Sequence, residues 1–194
     1  YVLSFQVYLA MPLQARYLFP QSDSVVTAMI FVVSGVVAVI GQMRITRWFA
    51  RRWGSGRSLA IGMLILALSF LPLIVLPDDQ RAGRVAAATA LLIAAAVLAV
   101  GSAAVFPFEM DTVVSLAGNR LVGTHYGFYN TIVGVGILVG NLATGSLMHF
   151  TREAGRPELL WVLLTVIGLL SAVALYRLDV RGRLGSAPEA VTEA

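Results

Sequence analysis

Residues 44–57 read RITRWFARRWGSGR, and they separate two uncharged runs, SVVTAMIFVVSGVVAVIGQM (24–43) and SLAIGMLILALSFLPLIVLP (58–77). The stretch carries five arginines and no acid. Each flank has the roughly 20 apolar residues that a helix needs to cross a hydrocarbon layer about 30 Å thick. Arginines near helix ends in short loops are held on the cytoplasmic side of a bilayer. The arrangement therefore predicts two membrane helices joined by a cytoplasmic basic loop.

Composition extends this reading to the whole chain. Of 194 residues, 58% are hydrophobic and only 12% charged, too little polar surface to cover a soluble domain. Three further apolar runs, 85–107, 125–150 and 159–176, are bounded by charge or by proline and glycine. A sixth, YVLSFQVYLAMPL (1–13), reaches Arg16 too soon to span. It has no basic start and no small-residue cleavage pattern, so it does not read as a signal peptide. The runs lack two-residue alternation, which excludes membrane strands. The expectation is an all-α membrane protein of six transmembrane helices, about 1–18, 24–43, 58–76, 85–107, 125–150 and 159–176. The first is truncated because the chain begins inside it, and residues 181–194 form a disordered cytoplasmic tail.

All fourteen basic residues are arginine. They cluster between apolar runs and are not interleaved with aromatics on one face, which excludes nucleic acid as a partner. With Arg44–Arg57 inside, nine arginines fall on that side against five on the other, where Asp23, Asp78, Asp79 and Glu153 also lie. This predicts a multi-pass protein of the cell membrane with a cytoplasmic C-terminus. There is no cysteine. His125 and His149 stand at opposite ends of one predicted helix, about 36 Å apart at 1.5 Å per residue, and cannot share a metal. No catalytic pattern is found, so neither an enzyme, a metal nor a cofactor is expected.

Within the run 125–150, Gly127, Asn130, Gly134, Asn141, Thr144 and Gly145 fall within about a third of the helix circumference. Amides in hydrocarbon are costly without partners, so this face either lines a cavity or cements helix contacts. Gly136 and Gly140 make a separate small-residue pair suited to close packing. Gln6, with Tyr8 and Gln14 nearby and Pro12 as a kink, serves either an interhelical hydrogen bond or a substrate contact. Phe106 and Phe108 bracket Pro107 as interfacial anchors or ligand contacts. The alanine-rich face of 86–99 points to tight packing. No acid lies inside any of the six runs, and the nearest are Glu109 and Asp111. Acids at a membrane margin pair with loop arginines such as Arg120 or stay solvated.

Six helices ending in the cytoplasm, a basic loop after the second, and GSAAVFPFEMDTVVSLAGNRLVGTHYGFYNTIVGVGILVGNLATGSLMHF (101–150) together resemble the C-terminal half of a major facilitator superfamily transporter. The bacterial multidrug antiporter branch is the nearest likeness. Gly41, Arg47, Arg51 and Arg52 fit the glycine and basic positions of the superfamily's loop signature, whose acidic position is not matched here. Pro107, Glu109, Arg120, Gly123, Tyr126 and Gly127 recur in similar places. The resemblance implies a secondary transporter working by alternating access, an efflux antiporter for small amphipathic or drug-like molecules. Its partners would be the lipid bilayer, a small-molecule substrate and a missing N-terminal six-helix half. Gln6, Asn130, Gly134 and Asn141 would line the cavity, and Glu109 is a coupling candidate. The coupling acid is expected in the absent half, so that this piece alone does not transport. A metabolite transporter of the same superfamily and a non-transporting scaffold or sensor stand as alternatives.

Overall fold

In hydrocarbon a backbone must satisfy its own hydrogen bonds, and a helix does so within one segment. The computed structural model describes residues 1–76, 79–116 and 121–182. Every regular element among them is helical. A 3-10 turn (Ser4–Val7) is followed by α1 (Ala10–Leu18), α2 (Asp23–Leu68), α3 (Leu71–Val75), α4 (Asp79–Leu116), α5 (Val122–Glu153) and α6 (Glu158–Val180). Arg120 and residues 183–194, which carry the expected loop partner of Glu109 and most of the expected tail, lie outside the described residues.

Among the described residues, four stretches are long and apolar enough to cross a membrane: Asp23–Val75, Gly83–Val114, Val122–Glu153 and Glu158–Val180. The expected six spans therefore do not appear as six. Two of them, 24–43 and 58–76, share the first stretch, which continues helically through the arginines because nothing there breaks a helix before Gly54. At Gly54 the backbone leaves helical geometry with φ 72° and ψ −175°, a left-handed setting that suits glycine. Two contacts show that the chain turns back at this point. The Thr46 hydroxyl donates to the Ala103 carbonyl at 3.3 Å, and a Cβ on Gly62 would stand 3.2 Å from the Ala104 side chain. In a straight helix residues 46 and 62 would be about 24 Å apart and could not both reach neighbouring residues of α4. Gly54 lies midway between them.

The first run, 1–18, is the one without membrane length. It consists of the 3-10 turn and the nine-residue α1, separated where Leu9 takes φ −122° and ψ −68°. Pro12 sits in the first turn of α1, where its missing N–H costs nothing. Its ring would crowd the carbonyl of Tyr8, so the kink expected at Pro12 falls one turn earlier.

Pro107 acts differently. It withdraws the donor that the Ala103 carbonyl would have received, yet α4 runs on to Leu116. Thr46 of α2 supplies the missing donor to that same carbonyl.

The core sits where the second arm of α2, α4 and α6 meet. Gly62, Gly101 and Gly168 mark the seam. A Cβ on Gly101 would come within 2.9 Å of the Leu66 backbone nitrogen, and one on Gly168 within 3.0 Å of the Ala67 Cα. Small residues thus let the backbones approach to contact. The expected tight alanine face is present: Ala87, Ala90, Ala94 and Ala95 are buried around Leu91. Fully buried Trp161 of α6 stacks on Phe70 with ring centroids 5.9 Å apart. By contrast, α5 buries only Thr144, Met148 and Thr151, and its apolar side chains Ile132, Val135, Leu138, Val139 and Leu142 are all exposed.

Candidate functional site

Three elements converge on a cavity of about 460 Å³: the first run, the first arm of α2, and α4. Each contributes one helical face. Tyr1, Phe5 and Tyr8 follow one another at four- and three-residue intervals, Phe31, Ser34, Gly35, Ala38 and Gln42 descend one stripe of α2, and Leu98, Ser102 and Phe106 face them from α4. The rings form a continuous arc. Phe106 stacks on Tyr1 at 5.2 Å, Tyr1 meets Phe5 at 6.1 Å, Phe5 meets Tyr8 at 5.4 Å, and Tyr8 stacks on Phe31 at 5.9 Å. These separations lie in the range of attractive ring pairs.

The polar side chains in this wall, serines, tyrosines and Gln42, are uncharged. The Ser102 hydroxyl donates to the Ser4 hydroxyl at 3.2 Å, tying α4 to the first run. The Ser34 Oγ is buried and has no hydrogen-bond partner among the described residues. Gly35 leaves open space, since a Cβ there would meet nothing within 4 Å. The cavity can hold a flat apolar body between rings and offer it serine and tyrosine hydroxyls and the Gln42 amide. Nothing in its lining could perform covalent chemistry.

The four residues read from sequence as cavity candidates do not meet here. Gln6 is fully buried, donates through Nε2 to the Val2 carbonyl at 2.6 Å, and has an unpartnered Oε1; it is absent from the wall that its neighbours Phe5 and Val7 form. Asn130 is exposed on α5 and donates to the Tyr126 carbonyl of its own helix at 2.9 Å. Gly134 is exposed, with nothing within 4 Å of a Cβ built on it. Asn141 is half-buried with an unpartnered Oδ1. Of the small-residue pair, Gly140 packs against Val2, whereas Gly136 has nothing within 4 Å. The cavity is built instead from residues whose signal was present but unweighted: aromatics at 1, 5 and 8 on a single face.

Glu109 of α4 accepts a hydrogen bond from the Tyr129 hydroxyl of α5. The Tyr129 ring stands edge-on to Tyr1 at 6.5 Å, which places this carboxylate behind the aromatic arc. On the basic loop, Arg47, Arg51 and Arg52 are exposed and Gly41 is half-buried. The carboxylate missing from the loop's own sequence arrives from α6: Asp179 pairs with Arg57 at 3.7 Å and packs against the bare Cα of Gly56. At the far end of α5, Arg152 donates to the Gln14 side chain at 2.5 Å and lies over the Tyr17 ring at 4.0 Å.

The model of the Major Facilitator Superfamily matches residues 2–193. A Mycobacterium tuberculosis protein named as an uncharacterized MFS-type transporter is 56% identical over 179 residues, 92% of this chain and 43% of that protein. The multidrug resistance protein MdtH of Citrobacter koseri is 27% identical over 175 residues, covering 90% of this chain and 41% of that protein. MdtH of Salmonella newport is 25% identical over the same length. The chain thus spans less than half of the curated relatives it matches. No solved structure matches it.

Proposed function

The chain belongs to the major facilitator superfamily, and on that premise we propose that it is the C-terminal half of a secondary transporter that expels small amphipathic, drug-like molecules in exchange for protons. Two six-helix bundles rock about a site between them, and the cavity walled by Tyr1, Phe5, Tyr8, Phe31 and Phe106 is this half's share of that site. The observation that carries the reading is the aromatic arc around an uncharged cavity between three apolar helices. It supports a planar amphipathic solute over a sugar or an anion, which would call for more hydrogen-bonding or charged groups. The MdtH relatives, named for multidrug resistance, support the same class.

In this reading the first run belongs to the first of the bundle's six helices. The arginine loop and the C-terminus face the cytoplasm, and Glu153 faces the other side. Asn130, Gly134 and Asn141 lie on the face of α5 turned toward the N-terminal half without packing against it, and Gln6 holds the first run in shape. The coupling acid belongs to that N-terminal half, with Glu109 as the coupling candidate on this side.

A cysteine-free full-length protein tests the site. Ser34→Cys and Ser102→Cys react with a small water-soluble thiol reagent and are protected by a bound substrate dye, while Val139→Cys stays inert. Equal reactivity at all three, or no protection at the first two, rejects the cavity as the site. Labelling of Arg52→Cys from outside intact cells would reverse the orientation. Glu109→Gln leaves proton-driven dye export intact if the coupling acid lies in the other half; loss of export with binding retained moves it to α4.

A further inference from the structure

A second hollow, of about 570 Å³, lies between the first arm of α2 and the Pro107 turn of α4. Its chemistry is graded. Ala38, Val39, Met43 and Pro107 make its apolar part, Gln42 and Thr46 add polar groups along the same helix, and Arg47 stands at its basic end. From Ala38 to Arg47 the helix rises about 14 Å. Arg47 also belongs to a second array. At about 100° per residue, Arg44, Arg47, Trp48 and Arg51 share one face of the arm. All four are exposed, and among the described residues no carboxylate pairs with these three arginines, since Asp179 is engaged by Arg57. Trp48 is 56% exposed yet held in place, edge-on to Trp53 at 4.7 Å and to Phe49 at 5.3 Å.

We propose that this hollow and stripe form a binding site for one anionic phospholipid, with an acyl chain along Ala38, Val39 and Met43 and the phosphate on Arg47, Arg44 and Arg51. An apolar groove that ends in guanidinium groups unpaired among the described residues matches a molecule with an apolar tail and an anionic head. A fixed, exposed indole beside the arginines suits the headgroup layer, where tryptophan is apolar on one side and a hydrogen-bond donor on the other. Guanidinium groups bind phosphate oxygens in pairs, which favours retention of a particular headgroup over general attraction to a charged leaflet. The site adjoins the proposed solute cavity at Ala38 and Gln42, and its charge chemistry does not depend on which solute is carried.

The test uses the full-length protein, stripped of lipid in detergent and titrated separately with phosphatidylglycerol, phosphatidylcholine and inorganic phosphate, with bound molecules counted by native mass spectrometry. Phosphatidylglycerol should be retained about fivefold or more over phosphatidylcholine, the weight of roughly one arginine at an anionic surface. Arg47→Gln should abolish the preference while leaving four arginines to hold the loop's orientation. Met43→Trp, which fills the groove without touching charge, should reduce retention of both lipids. Arg57→Gln should change neither. Equal retention of the two lipids, a preference that survives Arg47→Gln, or an equal loss in Arg57→Gln would overturn the site. Displacement of the lipid by millimolar inorganic phosphate would overturn it as a lipid site, and a groove covered by the rest of the protein would show as no retention at all.

Discussion

The seam between the second arm of α2 and α4 and the long helix α5 are both rich in glycine, and they use it in opposite ways. On the seam, a Cβ at Gly62 or Gly101 would overlap a neighbour. On α5, Gly123, Gly127, Gly134, Gly136 and Gly145 have nothing within 4 Å of the corresponding point. The first set lets backbones touch, and the chain itself supplies both surfaces. Of the second set, Gly123, Gly127, Gly134 and Gly145 form a small-residue face with no partner among the described residues, and Gly136 lies open on the other side. Glycine content alone therefore does not locate a packed interface; what matters is whether another backbone lies opposite.

The largest expected effect breaks the seam. Gly101→Val should cost about 3 kcal/mol or more, because the Leu66 backbone nitrogen cannot move aside as a flexible side chain could. Thermal unfolding of the purified full-length protein reads this as a large drop in Tm, and an unchanged Tm would mean that the seam is looser than described. A smaller effect separates packing from hydrogen bonding within the same seam. Thr46→Val should cost about 1 kcal/mol by leaving the Ala103 carbonyl without a donor. In a Pro107→Ala background, where the helix N–H returns, the same change should cost much less, and additive losses would refute the compensation. The smallest effect is on α5. Gly134→Ala should leave Tm unchanged or raise stability by up to about 1 kcal/mol through helix propensity. A destabilisation would instead show that the rest of the protein packs on this face.

The membrane class and the helical character of the long apolar runs were legible because span length follows from bilayer thickness and depends on nothing distant. The arms at 24–43 and 58–76 were placed by their lack of charge alone. What eluded sequence reasoning depends on contacts between distant residues. The passage of α4 through Pro107 rests on a hydroxyl 57 residues away in sequence. The cavity was missed because its aromatics at 1, 5 and 8 sit in a run judged by its shortness, while the polar stripe on α5 drew attention through its amides. Polarity in a membrane helix marks a face that needs a partner, and only geometry tells whether that partner is a solute, a lipid or protein.

The clasp of Asp179 on Gly56 and Arg57 also sets an order of events during biosynthesis. The ribosome makes the α2 hairpin long before α6, so the notch at Gly56 stays vacant while more than a hundred further residues are translated. The carboxylate that fills it lies near the end of α6, the last described helix. A nascent chain halted before that point presents a bare notch and an unmatched guanidinium at this end of the bundle, a signature by which unfinished molecules differ from finished ones.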